Sequence, residues 1–164
     1  MAENLNYHSG DGSYCYDNLS SNCDLYGRLY DWNEAMNGAA SSLTTPSGVQ
    51  GVCPDGWHLP SDAEWTELTD YVIANLAGSS VYNIGPYLKS TSGFNDAGNG
   101  TDDFGFSGLP GGLRYGNSYL NVGNLGGWWS STESSSTNAY GRYLSYGDDH
   151  FTRINLSRSN AHSV

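Results

Sequence analysis

Basic side chains are scarce in this sequence: six Lys and Arg stand against seventeen Asp and Glu, for a formal net charge of −11. A chain this acidic is repelled by phosphate backbones and by anionic lipid, so nucleic acid and membrane surfaces are poor partners, and neither nucleic-acid binding nor direct membrane insertion is expected. The acidity itself reads first as solubility. Long apolar runs are missing too, and nothing approaches the roughly 20 residues of a bilayer span. Charged residues make up 14% and hydrophobic residues 37%, both low for a soluble domain. The remainder is Gly (22) with much Ser, Asn and Thr, and Tyr (13) makes up a large part of the hydrophobic share. Disordered chains are poor in aromatics, and five Trp beside thirteen Tyr exclude that class. What is left is a folded, loop-rich protein whose 164 residues suit one domain, 1–164.

Cysteine is also rare, with three in the chain. Cys15 and Cys23 bracket a short polar loop that a disulfide would close, which implies an oxidising compartment and a secreted or surface protein. A metal pair would need further ligands, and only His8 is near in sequence. Cys53 is left over. The chain opens without a signal-peptide pattern, so an export signal is expected upstream.

The strongest local signal is Ser61-Asp-Ala-Glu64 after Pro60, a capping box in which Ser and Glu each satisfy an orphan amide of a first helical turn. Ala63, Trp65, Leu68, Val72 and Leu76 follow at helical spacing and Gly78 supplies a stop, which predicts a helix over 61–77. A second helix is expected over roughly 27–38, with Leu29, Trp32 and Met36 on one face, ending at Gly38. Past residue 80, short aromatic or aliphatic runs alternate with Gly, Asn, Ser and Asp. The runs at 104–106, 113–115, 119–122, 127–130, 140–146 and 151–154 read as short antiparallel strands between turns. The fold class is therefore α+β.

The stretch Gly51-Val-Cys-Pro-Asp-Gly-Trp-His-Leu-Pro-Ser-Asp-Ala-Glu-Trp65 resembles the Fibrobacter succinogenes major paralogous (FISUMP) domain family. So do 1–7, Tyr26-Gly-Arg-Leu-Tyr30, 98–106, Leu109-Pro-Gly-Gly112, Trp128-Trp-Ser-Ser-Thr-Glu133 and Ser163-Val164, so the resemblance runs the whole length. It implies a C-type-lectin-like fold: two helices packed on a short-stranded, twisted antiparallel sheet with long loops. The same superfamily holds the formylglycine-generating enzymes, which share the helix-opening pattern Leu59–Trp65. Family members usually carry residues before the position of Met1, so the resemblance implies the expectation of an excised domain, and they continue past Val164 into an Arg-Cys pair. The resemblance implies that Cys53 would pair with that Cys and is a free thiol here.

Enzyme chemistry finds little support. The formylglycine-generating relatives oxidise with a late cysteine pair, and no Cys follows Cys53. Asp102 with Asp103, and Asp148 with Asp149, are adjacent and would diverge on extended backbone, unlike the paired carboxylates of hydrolases. His58, between Trp57 and Leu59, reads as a structural residue. The expectation is a protein without catalytic activity and without a cofactor. A calcium ion is the one alternative: Asn95–Asp103 offers clustered oxygen ligands, although Asx turns explain the same residues and the sugar-binding tripeptide of calcium-dependent lectins is missing. Trp128 and Trp129 could form a sugar-stacking platform, but Trp is more often a core anchor.

The closing segment, 134–164, contains no Glu, Lys, Gln, Met or Trp, all types present earlier. Its residues are those reachable by changing adenines in the first two positions of an Asn codon. The pattern resembles the variable region of diversity-generating retroelement proteins. Ala139, Arg142, Leu144, Arg153, Ser159 and Ser163 read as scaffold. Tyr140, Tyr143, Tyr146, Asp148, Asp149, His150, Phe151, Thr152, Ile154, Asn155, Leu156, Asn160 and His162 read as ligand-binding display positions. Tyr gives large rigid contact area at low entropic cost, with Ser and Asn adaptable around it, as in paratopes. The expectation is an adhesin-type or receptor-binding module, part of a larger bacterial surface assembly, whose partner is a protein or glycan receptor on another cell or surface. The rivals are a structural or assembly domain of a surface protein and a calcium-dependent carbohydrate-binding module.

Overall fold

The computed structural model describes residues 3–164; Met1 and Ala2, at the start of the N-terminal family motif, lie outside them. Helix α1 is Ser20–Tyr26, α2 is Trp32–Met36 and α3 is Asp62–Ala74. At the start of α3 the capping box is complete: the Ser61 hydroxyl accepts from the Glu64 amide at 3.2 Å, and the Ser61 amide donates to Glu64 Oε2 at 2.9 Å. The helix stops three residues short of the expected 77. The Asn75 side chain folds back to donate to the Tyr71 carbonyl at 2.7 Å, ending the helix before the Gly78 turn.

The single helix expected over 27–38 is corrected. Leu29–Asp31 is strand β2, and only Trp32–Met36 is helical. Asp31 caps that helix by accepting from the Glu34 amide at 2.9 Å, and Asn37 closes it in the left-handed region. Leu29, Trp32 and Met36 are nevertheless all buried. Helix α1 was not expected; it lies beside the Cys15–Cys23 disulfide, which is present, while Cys53 is a free thiol.

The architecture is α+β, with two antiparallel sheets where one was expected. The first runs β1 (Ser13–Tyr14), β2, β8 (Ala161–His162), β3 (Leu113–Tyr115) and β4 (Ser118–Leu120). The second is β5 (Leu125–Glu133), β6 (Asn138–Ser145) and β7 (Thr152–Ser157). The chain at Ser163 joins them: its amide donates to the Gly127 carbonyl at 2.9 Å and its carbonyl accepts from Trp129 at 3.2 Å. The run 104–106 is a turn rather than a strand, because both Asp102 carboxylate oxygens are taken by the Ser107 amide and hydroxyl.

Strand alternation sends the adjacent tryptophans into different cores. Trp128 packs with Trp65, Val72, Phe106, Leu144 and Phe151 on the α3 side. Trp129 packs with Tyr30, Trp32, Met36 and Leu59 on the α2 side. Their indole N–H groups donate to Asn4 Oδ1 at 2.8 Å and to the Tyr30 carbonyl at 2.7 Å. Both are core anchors, so neither offers a sugar platform.

Candidate functional site

Helix α3 is clamped to β6 and β7 by one carboxylate. Asp62 accepts from Arg142 Nη1 at 2.7 Å and from Arg153 Nε at 3.0 Å, with Arg153 Nη2 2.9 Å from Oδ2. Arg142 is buried at 3% exposure, and Arg153 lies over the Tyr140 ring at 3.7 Å from its centroid. Partial burial alone would raise the Asp62 pKa, but the hydrogen bonds from Arg153 and Arg142 outweigh it and hold the carboxyl below its usual range. The scaffold role expected for Arg142 and Arg153 is thus met by charge-assisted bonds, and that of Leu144 by complete burial.

Register fixes which display candidates share a face. The pairs Tyr140↔Asn155 and Arg142↔Arg153 lie on the α3 side. The pairs Ala139↔Leu156, Gly141↔Ile154 and Tyr143↔Thr152 lie on the other side, with Trp129. Tyr146, Asp149, His150 and Asn155 are exposed, while Tyr140, Tyr143, Asp148, Thr152, Ile154, Leu156 and Asn160 are half-buried. Leu156 packs on the α2 core. Asp148 and Asp149 also serve the backbone: the Asp148 carbonyl accepts from the buried Lys89 ammonium at 2.6 Å, and the Asp149 carbonyl accepts from the Gly85 amide at 2.7 Å. The Asn160 amide closes a turn onto the Ser157 carbonyl.

Two display candidates are corrected. Phe151, 2% exposed, sits edge-on to Trp65 and Phe106 at 5.9 and 6.0 Å, because its alternation phase points it into the α3 core. His162, also 2% exposed, lies edge-on to Trp129 at 4.9 Å because β8 is an interior strand between β2 and β3. The thirteen candidates therefore form no single surface.

What the structure brings together instead is a groove of about 300 Å³ on the α3 side of β7. One wall is Thr66, Thr69 and Asp70 of α3; Val81 and Tyr82 of the following loop form the rim. The other wall is His150–Arg153, with Arg142 at the base. His150 stands edge-on to Tyr82 at 5.2 Å between ring centroids. The Thr66 and Thr69 hydroxyls donate to the Asp62 and Trp65 carbonyls within the helix, which leaves neither poised as a nucleophile. The groove offers one exposed carboxylate, aromatic edges and a guanidinium at its base, a set suited to holding a ligand. No local pattern marked Thr66, Thr69, Asp70, Val81 or Tyr82 as site residues. The i, i+3 and i+4 spacing of the three helical residues showed only a polar face, and Tyr82 lies in a turn-rich loop.

A second hollow, about 490 Å³, is lined by Tyr7, Glu34, Gln50, Cys53 and Asp55 among others, and takes nothing from the C-terminal segment. Burial pushes the Cys53 thiol up to about 11, so it is not a reactive thiolate at neutral pH. His58 Nε2 lies 2.6 Å from Glu64 Oε1, which ties it to the capping box. In the Asn95–Asp103 loop, Asn99 accepts from the Phe94 amide, Asn95 donates to Asn124, and Asp102 holds the turn to Ser107. Among the described residues, no group of three or more His, Cys, Asp or Glu could hold a metal ion. None of the described helices is long and apolar enough to cross a membrane.

No curated protein and no solved structure matches this chain. The family model described as Fibrobacter succinogenes major domain matches residues 1–164. The chain belongs to the Fibrobacter succinogenes major domain family.

Proposed function

We propose that this domain is a non-catalytic recognition module of a secreted or surface-anchored bacterial protein, built on a C-type-lectin-like scaffold. Its ligand is a protein or glycan held in the groove between α3 and β7. The observation that carries the reading is the composition of that groove. One wall is a helix fixed by the Arg142–Asp62–Arg153 clamp, and the other comes from the segment whose residue types suit a recognition surface. The Cys15–Cys23 disulfide supports an oxidising location. Retroelement diversification is carried only by the exposed and half-buried members of 134–164; Phe151 and His162 belong with the scaffold.

The test is binding of the labelled domain to a glycan array and to a panel of cell-surface and matrix proteins, repeated with a Tyr82→Ala/His150→Ala variant. Both side chains are exposed, so the melting temperature should hold while ligands captured by the wild type are lost. Capture unchanged in the variant removes the groove as the site.

A further inference from the structure

We propose that the outer edge of β7 binds an extended peptide, which adds as a fourth strand to the β5–β6–β7 sheet. The proposal rests on reading the adjoining groove as a recognition site and gives its partner a chemistry: a linear segment with an apolar and a basic residue two positions apart.

The register of the sheet carries the argument. In an antiparallel ladder, residues alternate between facing the neighbouring strand with N–H and C=O and facing away. The Arg158 amide donates to the Thr137 carbonyl at 2.9 Å, one step beyond the pair Asn138↔Ser157. That bond sets the phase: Leu156, Ile154 and Thr152 direct their backbone groups to β6. On the other side of β6, the Tyr146 amide donates to the Asn124 carbonyl, which assigns the even positions Arg142 and Leu144 to β5. The odd positions Gly141 and Tyr143 then remain for β7, in the same phase.

Arg153 and Asn155 consequently turn both N–H and C=O outward, as Ser157 does its N–H; the Ser157 carbonyl already accepts from Asn160 at 3.0 Å. β7 is the last strand of its sheet. Natural edges are blunted by Pro, by bulges or by charges set along the edge. β7 has no Pro or Lys, its pairing to β6 runs without a bulge, and its one charge is drawn away over Tyr140 onto Asp62. A row of unpaired backbone groups beside a groove is the geometry used in strand addition, in which main-chain bonds supply affinity and pockets for alternate side chains supply specificity.

The groove defines those side chains. A strand residue placed opposite Arg153 points to the same face, toward α3, as does the residue two positions away. Val81 and Tyr82 present an apolar contact there and Asp70 an exposed carboxylate. The clamp of Arg142, Arg153 and Asp62 keeps one net positive charge, and Asp70, which lies outside its hydrogen bonds, is the carboxylate the groove presents to a basic side chain. The net charge of −11 favours the same basic partner at longer range.

The experiment is selection of phage-displayed random linear peptides on the immobilised domain, followed by anisotropy titration of a synthetic selected peptide. Asn155→Pro removes an outward N–H that the ladder does not use, so the sheet should hold, while affinity should fall by about tenfold or more. Asn155→Ala keeps the backbone N–H and should retain measurably more affinity than Asn155→Pro; Asp70→Asn should weaken binding and flatten its salt dependence. In wild-type protein, the Arg153 and Asn155 amides should gain hydrogen-exchange protection when peptide is added, a readout independent of whether the Pro variant folds. Failure to select any peptide, or a selected peptide that leaves those two amides unprotected, overturns the proposal. Binding lost in Tyr82→Ala/His150→Ala but retained in a folded Asn155→Pro overturns strand addition alone. Binding retained in both overturns the groove as well.

Discussion

His162 should make the domain acid-labile in a defined window. Its ring is fully buried, neither ring nitrogen has a hydrogen-bond partner among the described residues, and the Gly127 backbone closes one side so tightly that a Cβ there would stand 3.0 Å from Nδ1. Charging an imidazole in such a place is costly, and burial lowers its pKa from 6.5 to about 4. The neutral form is therefore the native one. Above about pH 6.5 the group is neutral both folded and unfolded and adds no pH dependence. As pH falls from 6.5 to 4 the unfolded chain takes up a proton that the native state refuses, and stability drops. At 1.36 kcal/mol per unit, the shift amounts to about 3 kcal/mol in full, most of it lost by about pH 4.5. His162→Leu removes the titration while keeping an apolar side chain of similar size against Trp129. Urea unfolding followed by Trp fluorescence at about pH 7 and about pH 4.5 measures the difference. The wild type should lose about 2 kcal/mol more than the variant between the two conditions. Equal losses would refute the buried neutral imidazole.

Asp62→Ala should cost about 3–5 kcal/mol, because it strands the Arg142 guanidinium in the core, whereas Arg153→Ala should cost about 1 kcal/mol or less because Arg153 is half-exposed; chemical denaturation separates the two. Leu144→Ala should cost about 2–5 kcal/mol and Phe151→Ala about 3–5 kcal/mol, while His150→Ala and Asn155→Ala should each stay within about half a kcal/mol. Their melting temperatures check the assignment of buried and displayed positions. Thiol titration of unreduced, denatured protein should find a single reactive group, Cys53, and reduction should expose Cys15 and Cys23.

The parts of the fold legible in the sequence are those that local chemistry decides. Ser61 and Glu64 satisfy each other's amides within one turn, so α3 announced itself. The 27–38 segment misled because Leu29–Asp31 is held by pairing with Ser13–Tyr14 and Ala161–His162, partners far away in sequence. Asp31 and Glu34 did carry the start signal of α2, three residues apart like Ser61 and Glu64, but helical spacing across Leu29 and Trp32 masked it. At the candidate site, residue types marked 134–164 as a recognition segment. Burial within it depends on strand phase and sheet order, which no local pattern reveals. Phe151 enters the core one residue from exposed His150, and His162 is enclosed because β8 lies between two strands. The helical wall of the groove stayed invisible because an exposed Thr or Asp on α3 looks like any solvated face until β7 is placed beside it.

Recognition is proposed to occur between α3 and β7. Backbone amide chemical-shift mapping, with a peptide, protein or glycan that the domain captures, tests it most directly. Shifts should concentrate at Thr66–Asp70, Val81–Tyr82 and 150–155. Shifts concentrated instead around Glu34 and Gln50–Asp55, lining the second hollow, would contradict it.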